Sequence, residues 1–173
     1  LLDDLLDLSV LENGQVSLNE RVGKIGDVLN QAVAAAGIEN SRLRVVRSKV
    51  REDLMIYTDL DRLSQVFINL ISNALKYCDA ARPRLEVSIR DLGDTLAIDF
   101  IDNGSGIPMA SQDVIFEKFS RVGSDQAAGG AGLGLAICRE IMHRLGGTVS
   151  YLPGQGGGAF RVILPVTVVR SGR

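Results

Sequence analysis

Helices and antiparallel strands in separate runs predict an α+β two-layer sandwich, one sheet beneath a helical layer. Residues 60–77 carry apolar side chains at helical spacing. Residues 84–91 and 95–102 alternate apolar with polar around Leu92-Gly93-Asp94, the mark of an antiparallel hairpin. The chain has 173 residues and is 46% hydrophobic. At that length an ordinary single domain buries about 68–70% of the surface its unfolded chain exposes.

The elements follow in order. Residues 1–12, LLDDLLDLSVLE, place Leu1, Leu5 and Leu8 on one face and Asp3, Asp4 and Asp7 on another, and Asn13-Gly14 closes the helix as a C-cap. A helix of about 12 residues is marginal alone, so its leucines need a partner. That partner is either the domain core or a preceding dimerisation hairpin of which 1–15 is the end. The start inside a helix, without Met, favours the second and an excised piece. A second helix is predicted over 20–36, with Val22, Ile25, Val28, Leu29, Ala32, Val33 and Ala36 in one stripe and Gly37 beyond. Residues 43–50 and 54–57 are strand-like. Asp59 is a good N-cap for the helix 60–77. A short helix is predicted near 110–116, and 120–132 lacks periodicity and reads as a mobile loop. Residues 133–145 are helical and stop at Gly146-Gly147. The strands 148–152 and 159–164 are joined by the glycine-rich run from Pro153 to Gly158. The tail, 166–173, is expected to fray.

Composition narrows the function classes. Nineteen basic against twenty-one acidic residues leave a formal charge of −2, without the basic excess of a nucleic-acid footprint, so no nucleic-acid partner is expected. No apolar run reaches the roughly 18–20 residues of a membrane span, and no basic-then-apolar leader opens the chain. Two cysteines, Cys78 and Cys138, are too few for a disulfide framework and point to a reducing, cytoplasmic setting. Nineteen glycines against four prolines are unusual, and the glycines cluster.

Three polar clusters stand out. On the helix 60–77, Leu63, Val66, Phe67, Leu70, Ile71 and Ala74 form the apolar stripe, while Asn69, Asn73 and Lys76 line the opposite flank at i, i+4 and i+7. Asn is worse than Ala in a helix by up to about 0.7 kcal/mol. An amide oxygen suits Mg²⁺ and an ammonium suits phosphate; loop-capping or solvated amides are an equal alternative. The strand 95–102 ends at Asp102, followed by Asn103-Gly104-Ser105-Gly106-Ile107-Pro108. Absent side chains there let a flat ligand lie on the backbone, with Asp102 accepting from an amino group such as that of adenine; a tight turn is the alternative. The third cluster, Gly129-Gly130-Ala131-Gly132-Leu133-Gly134-Leu135-Ala136, opens a helix. Backbone N–H groups at such a start make an anion site fit for polyphosphate, against the alternative of a flexible linker. No Gly-Lys-Ser/Thr ending exists for a P-loop. The dinucleotide fingerprint starting at Gly132 fails at Ile137.

The remaining candidates read as structural. Phe116 and Phe119 flank Glu117-Lys118 beside the loop and either anchor a lid or pack in the core. The single histidine, His143, lies near a helix C-terminus, where its charge is favoured. Neither cysteine has a partner at metal-ligand spacing.

Taken together, Asn69-x-x-x-Asn73-Ala74-x-Lys76-Tyr77, Asp102-x-Gly104-x-Gly106, Phe116-Glu-Lys-Phe119 and Gly130-x-Gly132-Leu-Gly134-Leu resemble the four boxes of the sensor histidine kinase ATP-binding domain. That domain belongs to the superfamily of gyrase B, the ninety-kilodalton heat-shock chaperone and MutL. The resemblance runs from Asp59 to Leu164, and residues 1–15 are similar to the end of the kinases' dimerisation and phosphoacceptor helix. It implies a Bergerat-type fold with a mixed, mostly antiparallel sheet, a helical layer and an ATP lid, in a domain over 16–166 followed by a tail at 167–173. By resemblance, Asp102 would bind the adenine amino group, with Gly104, Gly106 and Ile107 shaping that pocket. Asn73, helped by Asn69, would hold Mg²⁺. Lys76 would meet the phosphates and Tyr77 would pack on the base. Gly130, Gly132, Leu133, Gly134 and Leu135 would surround the triphosphate, and Arg121 would reach the γ-phosphate.

The same likeness implies partners: ATP, the chain's own phosphoacceptor domain and a response regulator, in a homodimeric parent of the kind that can be anchored to a membrane. A regulatory scaffold that binds nucleotide weakly, and a serine kinase of the anti-sigma type, are the competing readings. Two departures matter. Ala131 stands where the family often has Thr or Ser, and the phosphoacceptor histidine with its acidic neighbour is absent, since His143 is followed by Arg144. Phosphoryl transfer relies on positioning and charge neutralisation, which this chain can supply to the donor without supplying the nucleophile. Incubated with ATP, the chain should therefore gain no acid-labile phosphate by phosphoramidate assay; a stable one contradicts this.

Overall fold

The computed structural model describes residues 2–14, 17–48, 51–120, 132–165 and 168–169. Its elements are α1 (Leu2–Glu12), β1 (Arg21–Lys24), α2 (Ile25–Ala35), β2 (Arg44–Arg47), β3 (Met55–Thr58), α3 (Leu60–Tyr77), β4 (Arg84–Asp91), β5 (Thr95–Asp102), α4 (Gly134–Arg144), β6 (Thr148–Tyr151), β7 (Ala159–Pro165) and β8 (Val168–Val169). Five strands form one sheet in the order β2-β4-β5-β7-β6. Only β2 and β4 run parallel; the other pairs are antiparallel. This is the α+β sandwich that the sequence predicts.

The central helix forms as its pattern dictates. Asp59 caps α3, its Oδ1 accepting from Arg62 N at 3.1 Å and its Oδ2 from Asn19 N at 3.0 Å. Such a cap is worth about 1 kcal/mol. Leu63, Val66, Phe67, Leu70, Ile71 and Ala74 are all buried. They meet a sheet face made of Leu85, Val87, Ile89, Leu96, Ile98, Phe100, Val162 and Leu164, buried as the strand alternation requires. Phe67 and Phe100 join the two layers at 5.4 Å between ring centroids.

Several expectations need correction. The predicted helix 20–36 starts only at Ile25, because Arg21–Lys24 pairs antiparallel with Met55–Thr58. Ladder bonds there satisfy the backbone in place of a helical turn. A second sheet of order β1-β3-β8 therefore stands beside the first, where one sheet was expected. Val168 and Val169, in the tail expected to fray, pair with Ile56 and Met55. The helix near 110–116 is a single 3₁₀ turn, Met109–Ser111, followed by turns. In α1 the buried residues are Leu8 and Leu11; Leu5 is 41% exposed, and Leu2, Leu6 and Val10 are exposed too. The mobile loop expected over 120–132 falls largely outside the described residues, as does Leu1.

Polar ties fasten α1 to the domain. Arg144 donates from Nε and Nη2 to Leu11 O at 3.0 and 2.7 Å and from Nη2 to Glu12 O at 3.3 Å. A cation thus satisfies carbonyls that the last turn of α1 leaves open. Asp7 accepts from Arg62 at 2.9 Å and from Gln65 at 2.7 Å, and Lys118 pairs with Glu12 at 2.7 Å. Bonds to a charged group of this kind contribute about 1.5–3 kcal/mol. Arg144→Ala should raise amide hydrogen exchange in α1 by about tenfold or more while β4 and β5 keep their protection. Unchanged exchange in α1 would show that the guanidinium does not hold the helix.

Candidate functional site

The hairpin register brings Asp102 to the end of β5 opposite Leu85, and its neighbours fix its carboxylate. Oδ1 accepts from Gly104 N at 2.8 Å and from Gly158 N at 3.0 Å, while Asp102 N donates to Gly158 O at 2.8 Å. Among the described residues, the protein's bonds to this carboxylate converge on Oδ1, which leaves Oδ2 as an acceptor for something else. Backbone presses in from the other side. A Cβ at Gly157 would overlap Asp102 O, and one at Gly158 would stand 2.6 Å from Asp102 Oδ2. Gly106 holds φ +80° and lies so close to Tyr151 and Gly157 that a Cβ would sit 3.1 Å from the Tyr151 hydroxyl and the Gly157 carbonyl. Ile107 N donates to that hydroxyl at 3.0 Å. Tyr151 packs edge-on against Phe160 at 5.5 Å, and Phe160 against Phe116 at 6.1 Å. Phe116 is therefore a packing residue, whereas Phe119 is 56% exposed.

Helix α3 and its C-cap are bonded to both other clusters. Asn69 Nδ2 donates to Gly134 O at 3.2 Å, tying α3 to the start of α4. At the other end, the thiol of Cys78, the C-cap of α3, donates to Asn103 Oδ1 at 3.3 Å. Asn73 lies five residues before Cys78, about 7.5 Å along the helix axis. It is half-buried, and among the described residues its amide makes no hydrogen bond. Lys76 and Tyr77 are exposed in the last turn; among the described residues the Lys76 ammonium is in no ion pair.

The glycines before α4 divide into two kinds. Gly132 has φ +73°, and a Cβ there would overlap Ser120 O; its carbonyl accepts from Phe119 N at 3.1 Å. Its glycine is demanded by the fold. Gly134 is exposed in the first turn of α4, and a Cβ added to it would meet nothing within 4 Å. Among the described residues nothing explains that absent side chain. Leu133 is buried and Leu135 packs partly against the core, so both serve packing while their backbones stand at the helix start, where N–H groups lack helical partners. Arg121 and Gly130, with Ala131, lie outside the described residues.

Sequence reasoning passed over Gly157 and Gly158, taken as part of a strand connection, although three consecutive glycines exceed what a hairpin needs. It also passed over Tyr151 and Asp79, which no spacing reveals. His143 is exposed in the last turn of α4, and both cysteines are free. Among the described residues no group of three or more His, Cys, Asp or Glu could hold a metal. The available donors are amide oxygens, which suit a hard ion that arrives with phosphate ligands and water of its own.

Comparison with known proteins gives the family and the fold. Residues 58–168 match the family described as histidine kinase-, DNA gyrase B-, and HSP90-like ATPase. The chain is 34% identical over 167 residues to sensor protein KdpD of Escherichia coli (strain K12), a match covering 95% of this chain and 18% of that protein. Histidine kinase AdeS of Acinetobacter baumannii superposes with a TM-score of 0.79 at 27% identity, over 96% of this chain and 77% of that one. Full-length ShkA in complex with AMPPNP gives 0.80 at 25% identity, over 98% and 36%. The chain thus spans under a fifth of the length of KdpD.

Cys138 lies fully buried behind Asn69, and burial pushes its thiol up from an ordinary 9.0 to about 12, against a smaller opposing effect of the Asn69 hydrogen bond. The unfolded chain ionises this thiol near pH 9 and the folded chain does not until about pH 12. Its stabilising contribution is therefore whole below pH 9 and is lost as pH rises through that window. A thiol reagent at pH 8 should modify Cys78 and spare Cys138 until urea unfolds the chain. Equal rates at both in the native state would contradict that burial.

Proposed function

The chain belongs to the histidine kinase-, DNA gyrase B-, and HSP90-like ATPase family, and from that premise we propose that it binds Mg-ATP and serves as the donor half of a sensor histidine kinase. In the longer protein it would donate the γ-phosphoryl to a histidine on a separate helical hairpin, for relay to an aspartate of a response regulator. One observation supports this reading above the others: α3 is hydrogen-bonded at its C-cap to the loop after Asp102 and about two and a half turns earlier to Gly134. On this reading the carboxylate, amides, ammonium and open helix start would serve one ligand.

The residues fit the ligand. Asp102 Oδ2 would accept from the exocyclic amine of adenine, with Gly104, Gly106 and Ile107 forming the wall and Tyr77 packing on the base. Lys76 would neutralise phosphate charge. The amide oxygens of Asn73 and Asn69 would hold Mg²⁺, since the Asn69 N–H₂ group is committed to Gly134. Mg²⁺, when bound, supplies charge neutralisation across the phosphate oxygens. Backbone N–H groups of Gly132, Leu133, Gly134 and Leu135 would orient the triphosphate, and the bare Gly134 leaves room for it. Arg121 and Gly130 take their roles from family resemblance alone.

The rest of the protein follows as proposal. Residues 1–15 would be the end of the dimerisation helix, 16–166 the catalytic domain and 167–173 a tail. The exposed Leu2, Leu5, Leu6 and Val10 suit a helix that continues into a homodimeric hairpin. Among the described residues no helix is long and apolar enough to cross a membrane; we place this domain in the cytoplasm, where ATP and reduced thiols are found.

Titration with ATP, with and without Mg²⁺, tests the assignment. Asp102→Asn keeps an oxygen for Gly104 and Gly158 and replaces the other with a donor, so ATP affinity should fall by about ten- to a hundredfold with the fold intact. Asn73→Asp should change the metal dependence more than the melting temperature. Gly134→Ala should leave the melting temperature level or higher, Ala being favoured in a helix by about 0.5–1 kcal/mol, yet weaken ATP binding. Undiminished binding in Asp102→Asn would overturn the orientation of the base.

A further inference from the structure

We propose that Asp79 is a positioning residue for base recognition, acting through Ser105 and Gly104 on the Asp102 carboxylate. The inference rests on the nucleotide reading above. Asp79 follows the C-cap of α3 and grips Ser105 with both oxygens: Ser105 N donates to Oδ1 at 2.7 Å and Ser105 Oγ to Oδ2 at 2.6 Å. These bonds, the side-chain one foremost, hold its carboxyl below the usual 3.8, so it stays an acceptor throughout the neutral range.

The grip matters because of what lies beside it. Gly104 is enclosed between two carboxylates: a Cβ there would stand 2.8 Å from Asp79 Oδ1 and 3.1 Å from Asp102 Oδ1. The Gly104 N–H nonetheless points to only one of them, donating to Asp102 Oδ1. Asn103, one residue earlier, is sewn to the same segment. Its Oδ1 accepts from Arg84 N at 2.8 Å and from the Cys78 thiol at 3.3 Å, and its Nδ2 donates to Arg82 O at 2.9 Å. Residues 103–105 are thus held by the 78–84 segment on one side and by Asp102 on the other.

This arrangement sets which oxygen of Asp102 is spent. With Ser105 clamped, Gly104 N stays beside Gly158 N, both donate to Oδ1, and Oδ2 remains for the ligand. Releasing Ser105 frees Gly104, a residue without side-chain restraint, and the carboxylate loses one of the two donors that fix its rotation. Asp79 touches no part of the base in this scheme. Its effect falls on the contact that Asp102 makes, and on that contact alone.

The test compares ATP with inosine triphosphate, which carries a carbonyl where adenine carries its amine. Dissociation constants for both Mg-nucleotides are measured on the full 173-residue chain and on Asp79→Ala, Ser105→Ala, the double variant and Asp102→Asn. Asp79→Ala should lower the ATP preference by about three- to tenfold, through weaker ATP binding with inosine triphosphate almost unchanged. Ser105→Ala, which keeps its N–H, should lower it less, and adding it to Asp79→Ala should have little further effect. Equal weakening of both nucleotides by Asp79→Ala, or no change in either, would overturn the positioning role while Asp102→Asn still abolishes the preference. A wild-type chain without preference, or Asp102→Asn that retains it, would instead overturn the adenine assignment itself.

Discussion

Helix α3 carries two incompatible surfaces on one cylinder, and the rest of the molecule is arranged around that constraint. Its apolar stripe must lie flat on the sheet, as the Phe67–Phe100 contact shows. Its other flank must stay polar without being dissolved away into water. The structure holds the helix by two bonds, from Asn69 on that flank to Gly134 and from the C-cap residue Cys78 to Asn103. The helix cannot roll to bury its amides without breaking those bonds, nor slide without unpacking side chains that are fully buried. Buried Leu or Phe truncations in such a stripe cost about 2–5 kcal/mol, far more than one amide bond, so packing sets the position of α3 and the polar ties set its rotation.

A second constraint is close backbone approach around Asp102. Gly157 and Gly158 lie where any side chain would strike its carbonyl or carboxylate. The strand β7 begins immediately afterwards and pairs Ala159 with Ile101, so the same two residues that shape the site also set the register of the central strands. Site and fold share these glycines. Gly134 differs, because among the described residues no neighbour forbids a side chain there, which suits the close approach of a ligand.

The parts legible in the sequence are those with a period. Helix α3, the β4–β5 hairpin and the β6–β7 pair carry unbroken patterns with polar punctuation, and each formed where its spacing puts it. The strand β1 was hidden because Val22 falls in phase with the stripe of α2 and four residues are too few for alternation to show. β8 was hidden for the same reason of length. In α1, leucines on nearly every face made the buried side ambiguous, and the domain chose Leu8 with Leu11. The candidate site was legible wherever an unusual residue type betrayed it: amides in a helix, glycines at a strand end and at a helix start. Asp79 and Ser105, 26 positions apart, and Arg144 and Leu11, 133 apart, leave no such trace, because ordinary surface residues become partners only once the chain has folded.

The central claim is that three segments remote in sequence form one binding surface. Titrating the isotopically labelled chain with Mg-ATP while following backbone amide resonances tests it most directly. The account predicts that amides of residues 73–77, 102–107 and 132–135 shift together and saturate with a single dissociation constant. Shifts confined to one of these segments, or saturating at separate concentrations, would contradict it.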